Sequence, residues 1–164
     1  MRVRHFQALW RLLLFGAALF VASFDYLICV RLTGRASSIR DRGRWLHRCS
    51  RRIRAVLRVQ VEWQGQPPVS GCLVSNHLSY LDIVVLGAAQ PLVFVAKSEV
   101  AQWPVLGWLA QAGGTLFIER ARRADVKRVS ESMAYSVKQG AVVAFFPEGT
   151  SSDGQSVLPF RSSL

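Results

Sequence analysis

The chain has 164 residues, room for one domain of ordinary size. Hydrophobic residues make up 51% and charged residues 19%, which excludes a disordered or fibrous chain and supports a buried core. The net charge of +11 is confined: residues 1–58 hold thirteen arginines and two acids, whereas residues 59–164 hold eight basic and eight acidic side chains. A nucleic-acid-binding domain spreads its basic residues over a folded face. Here they belong to an appendage, so nucleic acid is set aside as partner.

Residues 9–30 read LWRLLLFGAALFVASFDYLICV. As a helix this stretch is roughly 33 Å long, about the thickness of a bilayer core. Residues 12–24 contain no charge, and Arg11 and Asp25 lie near enough to the ends to reach headgroups. Trp10 and Tyr26 stand where interfacial aromatics stand. A cleaved signal peptide is the rival reading, but no sharp cleavage site follows. A buried core helix and a re-entrant helix fit the same hydropathy.

Residues 36–58 change pattern. Ile39, Leu46, Cys49, Ile53 and Val56 or Leu57 fall on one helical face, and eight arginines occupy the remainder. A basic amphipathic helix of this kind suits anionic membrane lipids, each arginine contributing about 1 kcal/mol near headgroups. A solvated charged face packed on the domain gives the same pattern, and the two coexist readily. Three arginines precede the uncharged stretch and ten follow it. The positive-inside rule then puts the remainder on the cytoplasmic side, at the inner membrane if the source is bacterial. Two units follow: membrane-attachment helices over 1–58 and a folded domain over 59–164.

After Arg58 short apolar runs alternate with helical patterns. Residues 59–63 alternate like a half-exposed strand, and 64–68 form a turn cluster. Strands are expected at 72–75, 92–96, 116–118 and 142–146. Helices are expected at 80–89, at 98–112 with Pro104 perturbing it, and at 124–139. This rhythm predicts an α/β fold, a mixed sheet flanked by helices and preceded by the membrane helix and the basic amphipathic helix. Ligands in such sheets bind beyond the carboxyl ends of the strands. Asn76 and His77, Glu119 and Arg120, and the segment from Pro147 to Thr150 all sit at such ends.

His77 and Asp82 stand five residues apart. Imidazole is the side chain best suited to act as a base near neutral pH, and a carboxylate on its other nitrogen fixes the tautomer. A helix-entry histidine with a capping aspartate gives the same spacing. Glu148 would be an acid at a strand's mouth, with Gly149 freeing backbone N–H groups toward a ligand. Arg120, just after a buried strand, can hold a phosphate in bidentate fashion, where a surface salt bridge is the plain alternative. Cys29, Cys49 and Cys72 are odd in number and widely spaced. They form neither a disulfide framework nor a metal clip, which favours a reducing compartment. There is no metal-ligand cluster and no nucleophile elbow.

Four ordered segments carry a resemblance. They are Asn76-His77 with Asp82; Lys97-Ser98-Glu99-Val100 with Pro104 and Gly107; Gly114 with Phe117-Ile118 and Arg120; and Phe146-Pro147-Glu148-Gly149-Thr150. Together they resemble the glycerolipid acyltransferases typified by 1-acyl-glycerol-3-phosphate acyltransferases, over roughly residues 59–161. The resemblance implies acyl transfer from acyl-CoA or acyl-carrier protein to the free hydroxyl of a lysophospholipid, without a further cofactor. It makes His77 the general base and Asp82 its orienting group, with Arg120, Glu148, Gly149 and Thr150 binding the acceptor's phosphoglycerol part. Lysophosphatidic acid is the first acceptor it implies. Many members have arginine after the Glu-Gly-Thr step where this chain has Ser151, which keeps another lysolipid, such as a lyso-ornithine lipid, in view. The family's usual domain also continues beyond a point equivalent to Leu164, so a C-terminally incomplete enzyme is expected. A catalytically silent membrane-associated binding module is the alternative from another class.

Overall fold

The computed structural model describes residues 2–34 and 38–161. Helix α1 spans Arg2–Tyr26 and runs on through a π turn, Leu27–Arg31. The segment Leu9–Arg31 is long and apolar enough to cross a membrane, with mean hydropathy 2.1. Most of its flank faces outward: Leu12 is 68% and Phe20 74% exposed. Only a narrow stripe docks, with Ala22 and Val30 buried and Phe15, Leu19 and Tyr26 packed beside them.

That stripe meets helix α2, Ile39–Leu57, which Ser38 caps by accepting the Asp41 N–H at 3.2 Å. Of the helix expected over 36–58, residues 36 and 37 lie outside the described residues. The buried face includes the expected Leu46, Cys49 and Ile53, and adds Gly43, Trp45 and Ser50. Trp45 is fully buried, donates Nε1–H to the Ala22 carbonyl at 2.9 Å, and meets Tyr26 edge-on at 5.1 Å. Burial of one such side chain contributes roughly 1.5–3 kcal/mol. The basic face is not wholly free. Arg48 grips both oxygens of Asp25 at 3.0 and 3.1 Å, and Arg52 adds a third contact at 3.0 Å.

The sheet comprises β1 (Gly71–Val74), β2 (Leu92–Lys97), β3 (Leu116–Ile118) and β4 (Val142–Phe145), in the order β1-β4-β2-β3. Helix α3 (Leu81–Ala89) joins β1 to β2, and α5 (Arg123–Lys138) joins β3 to β4. A 3₁₀ turn (Ser98–Gln102) and α4 (Leu106–Ala112) lie between β2 and β3. The α/β class is as expected. The four described strands nonetheless pair only in parallel, where a mixed sheet was expected, because every connection is a helical crossover. Residues 59–63 form no strand. The alternation of Val59 and Val61 yields half-buried positions, but β1 pairs only with β4 and offers this segment no ladder.

Side chains of β2 alternate between two cores. Phe94 joins Trp45, Leu46 and Leu109 on the face covered by α2 to α4, whereas Val93 and Val95 join Val129 and Met133 of α5. A strand buried on both faces needs the continuous apolar run seen at Leu92 to Val95. Helix α2 therefore shares the core of the sheet, although the expected domain boundary at residue 58 would assign it to the appendage. Because β4 returns between β1 and β2, the carboxyl ends of β1 and β4 lie side by side. That adjacency builds the site.

Candidate active site

His77 leaves β1 on a segment still tied to β4, the Ser75 N–H donating to the Phe145 carbonyl at 3.3 Å. Its Nδ1 lies 2.8 Å from Asp82 Oδ2. The same oxygen accepts the backbone N–H groups of Leu78 at 2.7 Å and Ser79 at 3.0 Å, so Asp82, in the first turn of α3, is fixed before it meets the imidazole. An ionised carboxylate only accepts, which puts the proton on Nδ1 and leaves the Nε2 lone pair available. The ring is stacked on Phe146, with centroids 4.1 Å apart and planes 18° apart.

Glu148 is 2% exposed. Its Oε2 accepts the His77 N–H and its Oε1 the Leu158 N–H, each at 2.7 Å. The loop after β4 also reaches the carbonyl of His77, which accepts the Ser152 N–H at 2.8 Å. The backbone of His77 is thus held from both sides by one loop. Gly149 follows with φ of 75°, and the guanidinium of Arg120 occupies the space that a side chain there would fill. Glycine meets both conditions without strain and leaves the guanidinium in place.

Arg120 arrives from the exit of β3. Asp125 braces that exit, accepting the Glu119 N–H at 2.6 Å while Arg128 holds the carboxylate's other oxygen. Arg120 Nε is buried without a hydrogen-bond partner, and burial, then the charge of Arg161, holds its pKa below the ordinary value.

His77, Arg120, Gly149 and Thr150 line one cavity of 270 Å³ whose interior is apolar, with Ile53, Val84, Phe94, Leu109 and Phe146 among its walls. Asp82 stands behind His77, and Glu148 lies beside the cavity without lining it. Sequence reasoning missed the wall residues. Their signal was present in the α2 face that includes Cys49 and Ile53, but nothing in the spacing says that this face meets the site. Helix α4 comes close because Gly107 allows it: a Cβ there would lie 2.5 Å from the Ala101 carbonyl oxygen. This accounts for the glycine three residues after Pro104.

Residues 58–164 match the family model described as Acyltransferase. The chain belongs to the acyltransferase family. It is 45% identical over 111 residues to a lyso-ornithine lipid O-acyltransferase of Rhodobacter capsulatus, covering 67% of this chain and 40% of that protein. It is 36% identical over 128 residues to a 1-acyl-sn-glycerol-3-phosphate acyltransferase of Neisseria meningitidis, covering 76% of this chain and 50% of that protein. The chain thus spans half or less of the length of these two curated relatives. The fold is that of the crystallised 1-acyl-sn-glycerophosphate acyltransferase from Thermotoga maritima. That likeness has a TM-score of 0.62 at 23% identity, covering 95% of this chain and 68% of that one.

Proposed function

We propose that this acyltransferase moves an acyl group from a thioester, acyl-CoA or acyl-carrier protein, to the free hydroxyl of a lysolipid whose headgroup carries a phosphate or a carboxylate. The observation that carries the proposal is the His77 imidazole, oriented by Asp82 through Nδ1 at 2.8 Å and set at an apolar cavity that also receives Arg120. Nε2 takes the acceptor's hydroxyl proton as the oxygen attacks the thioester carbonyl. The tetrahedral intermediate then collapses, the C–S bond breaks, and the leaving thiolate takes the proton back from the imidazolium. Asp82 stabilises that transient cation and keeps the tautomer. No acyl-enzyme is needed. The cavity walls take the acyl chain, while Arg120, with the Gly149-Thr150 turn, takes the headgroup. Glu148 serves as a positioning residue, since each of its oxygens is already held by a backbone N–H.

Residues 1–58 attach the enzyme to a membrane. Helix α1 presents its exposed apolar flank to lipid, and the exposed Arg40 and Arg51 of α2 face anionic headgroups on the cytoplasmic side. The Tyr26–Trp45–Trp108 cluster links α1 to α4, a wall of the cavity, so lipid and site are neighbours.

Lysophosphatidic acid is the acceptor proposed first, because Arg120 offers a fork that matches phosphate. A lyso-ornithine lipid is the second reading, favoured by Ser151 and by the 45% identity to the Rhodobacter protein. A mass-spectrometric screen of lysolipid acceptors against both donors decides. A new diacyl product that depends on thioester supports the proposal. Donor and acceptor both left intact across the screen would refute it.

A further inference from the structure

We infer that Arg161 pairs with Arg120 as a two-guanidinium clamp for the anionic headgroup of the acceptor. The inference rests on the acyl-transfer reading above and names a residue that none of the four sequence motifs contains. Its backbone N–H donates to the Pro147 carbonyl at 3.0 Å, which returns the chain to the loop after β4. There Arg161 Nε lies 3.6 Å from where a Cβ of Gly149 would be, and the Arg120 guanidinium lies against the same point. Two cations therefore converge over one glycine at the edge of the cavity lined by His77.

No carboxylate among the described residues neutralises either of them. Glu148 is spent on the amides of His77 and Leu158. Glu119 pairs with Arg122 at 3.2 Å, and Asp125 with Arg128. Asp153 accepts the Gln155 N–H at 3.1 Å. Like charges held together without a counter-ion disfavour each other, and the buried, unpartnered Nε of Arg120 adds an unmet donor. An oxyanion between the two forks offsets that repulsion. The clamp also supplies the second cation absent at Ser151, from ten residues further along the chain. Its shared target is a phosphate monoester or a carboxylate, the groups that a lysophosphatidic acid and an ornithine headgroup respectively offer.

The test uses the whole protein in neutral detergent micelles with three acceptors: lysophosphatidic acid, lyso-ornithine lipid and uncharged monoacylglycerol. Arg161→Ala leaves the backbone bond to Pro147 in place, and Arg161→Lys keeps the charge without the fork. The expected result is an acceptor KM raised about tenfold to a hundredfold in Arg161→Ala for the anionic lipid that is the substrate. The monoacylglycerol and thioester KM values stay unchanged, and Arg161→Lys recovers only part of the loss. Whether lysophosphatidic acid or lyso-ornithine lipid suffers the larger rise tells phosphate from carboxylate. Equilibrium binding of each lipid is measured alongside, without turnover. Weakened anionic binding in Arg161→Ala supports the clamp even if no acceptor is acylated, in which case the acyl-transfer reading falls alone. Unchanged anionic binding and KM, or an equal loss for the uncharged lipid, would overturn the clamp.

Discussion

Glu148 accepts the backbone N–H of His77 at 2.7 Å across 71 positions of sequence. The parallel pairing of β1 with β4 makes this possible, and Ser152 completes the grip on the His77 carbonyl. The His77 backbone is therefore held by a loop that also positions Gly149 beside Arg120.

From this grip follows the behaviour of Glu148→Gln. The amide offers one acceptor where two backbone N–H groups need one each, so the buried pair is half broken. Slack of about 1 Å at a reacting group can cost on the order of 10²-fold. We expect kcat to fall about tenfold to a hundredfold while the acceptor KM changes little. Steady-state kinetics check this, and a raised acceptor KM with intact kcat would put Glu148 on the substrate instead.

Asp125 lends the fold an acid-sensitive component. The backbone N–H of Glu119, then Arg128, holds its carboxyl below the ordinary 3.8. A depressed folded pKa contributes stability above the unfolded value, and that contribution is lost as pH falls through the folded one. Urea midpoints of the native protein should therefore drop below about pH 4, and more steeply than those of Asp125→Asn. Parallel curves for the two proteins would contradict the assignment.

How much of this was legible in the sequence depends on the distance over which each signal acts. The unbroken apolar run at Leu92 to Val95 announced a strand, and the His77–Asp82 spacing announced a local pair. Residues 59–63 misled because alternation reports two faces and not whether a neighbouring strand exists. The engagement of Glu148 and the approach of Arg161 to Arg120 were invisible because both depend on β4 returning between β1 and β2. The arginines of α2 read as a free basic face because nothing local ties Arg48 and Arg52 to Asp25.

The cavity assignment predicts a chain-length effect. Cys49 is buried in its wall, and burial pushes the thiol up to about 11, so it stays neutral and inert at pH 7. Cys49→Phe places a ring in that space. Turnover with long-chain thioesters should fall at least about fivefold relative to short-chain ones, since overpacking costs about 1–3 kcal/mol. A chain-length profile of thiol release measures it, and an unshifted profile would place the acyl chain elsewhere.

Attachment through α1 predicts resistance to salt. At 1 M salt the Debye length is about 3 Å, which removes the contribution of the arginines but not that of apolar burial. The protein should stay on anionic vesicles at 1 M salt, whereas Leu12→Glu with Phe20→Glu should render it releasable. Vesicle flotation reads both, and full release of the native protein by salt would mean that α1 does not insert.

The central claim is that the Nε2 of His77 is the general base, and the initial rate of thiol release in His77→Ala tests it most directly. Loss of a positioned base removes typically about 10²–10⁴-fold. The account predicts a fall of at least this order, with lysolipid binding and the melting temperature close to those of the native enzyme. Turnover within a few-fold of native, in a folded variant that binds both substrates, would contradict it.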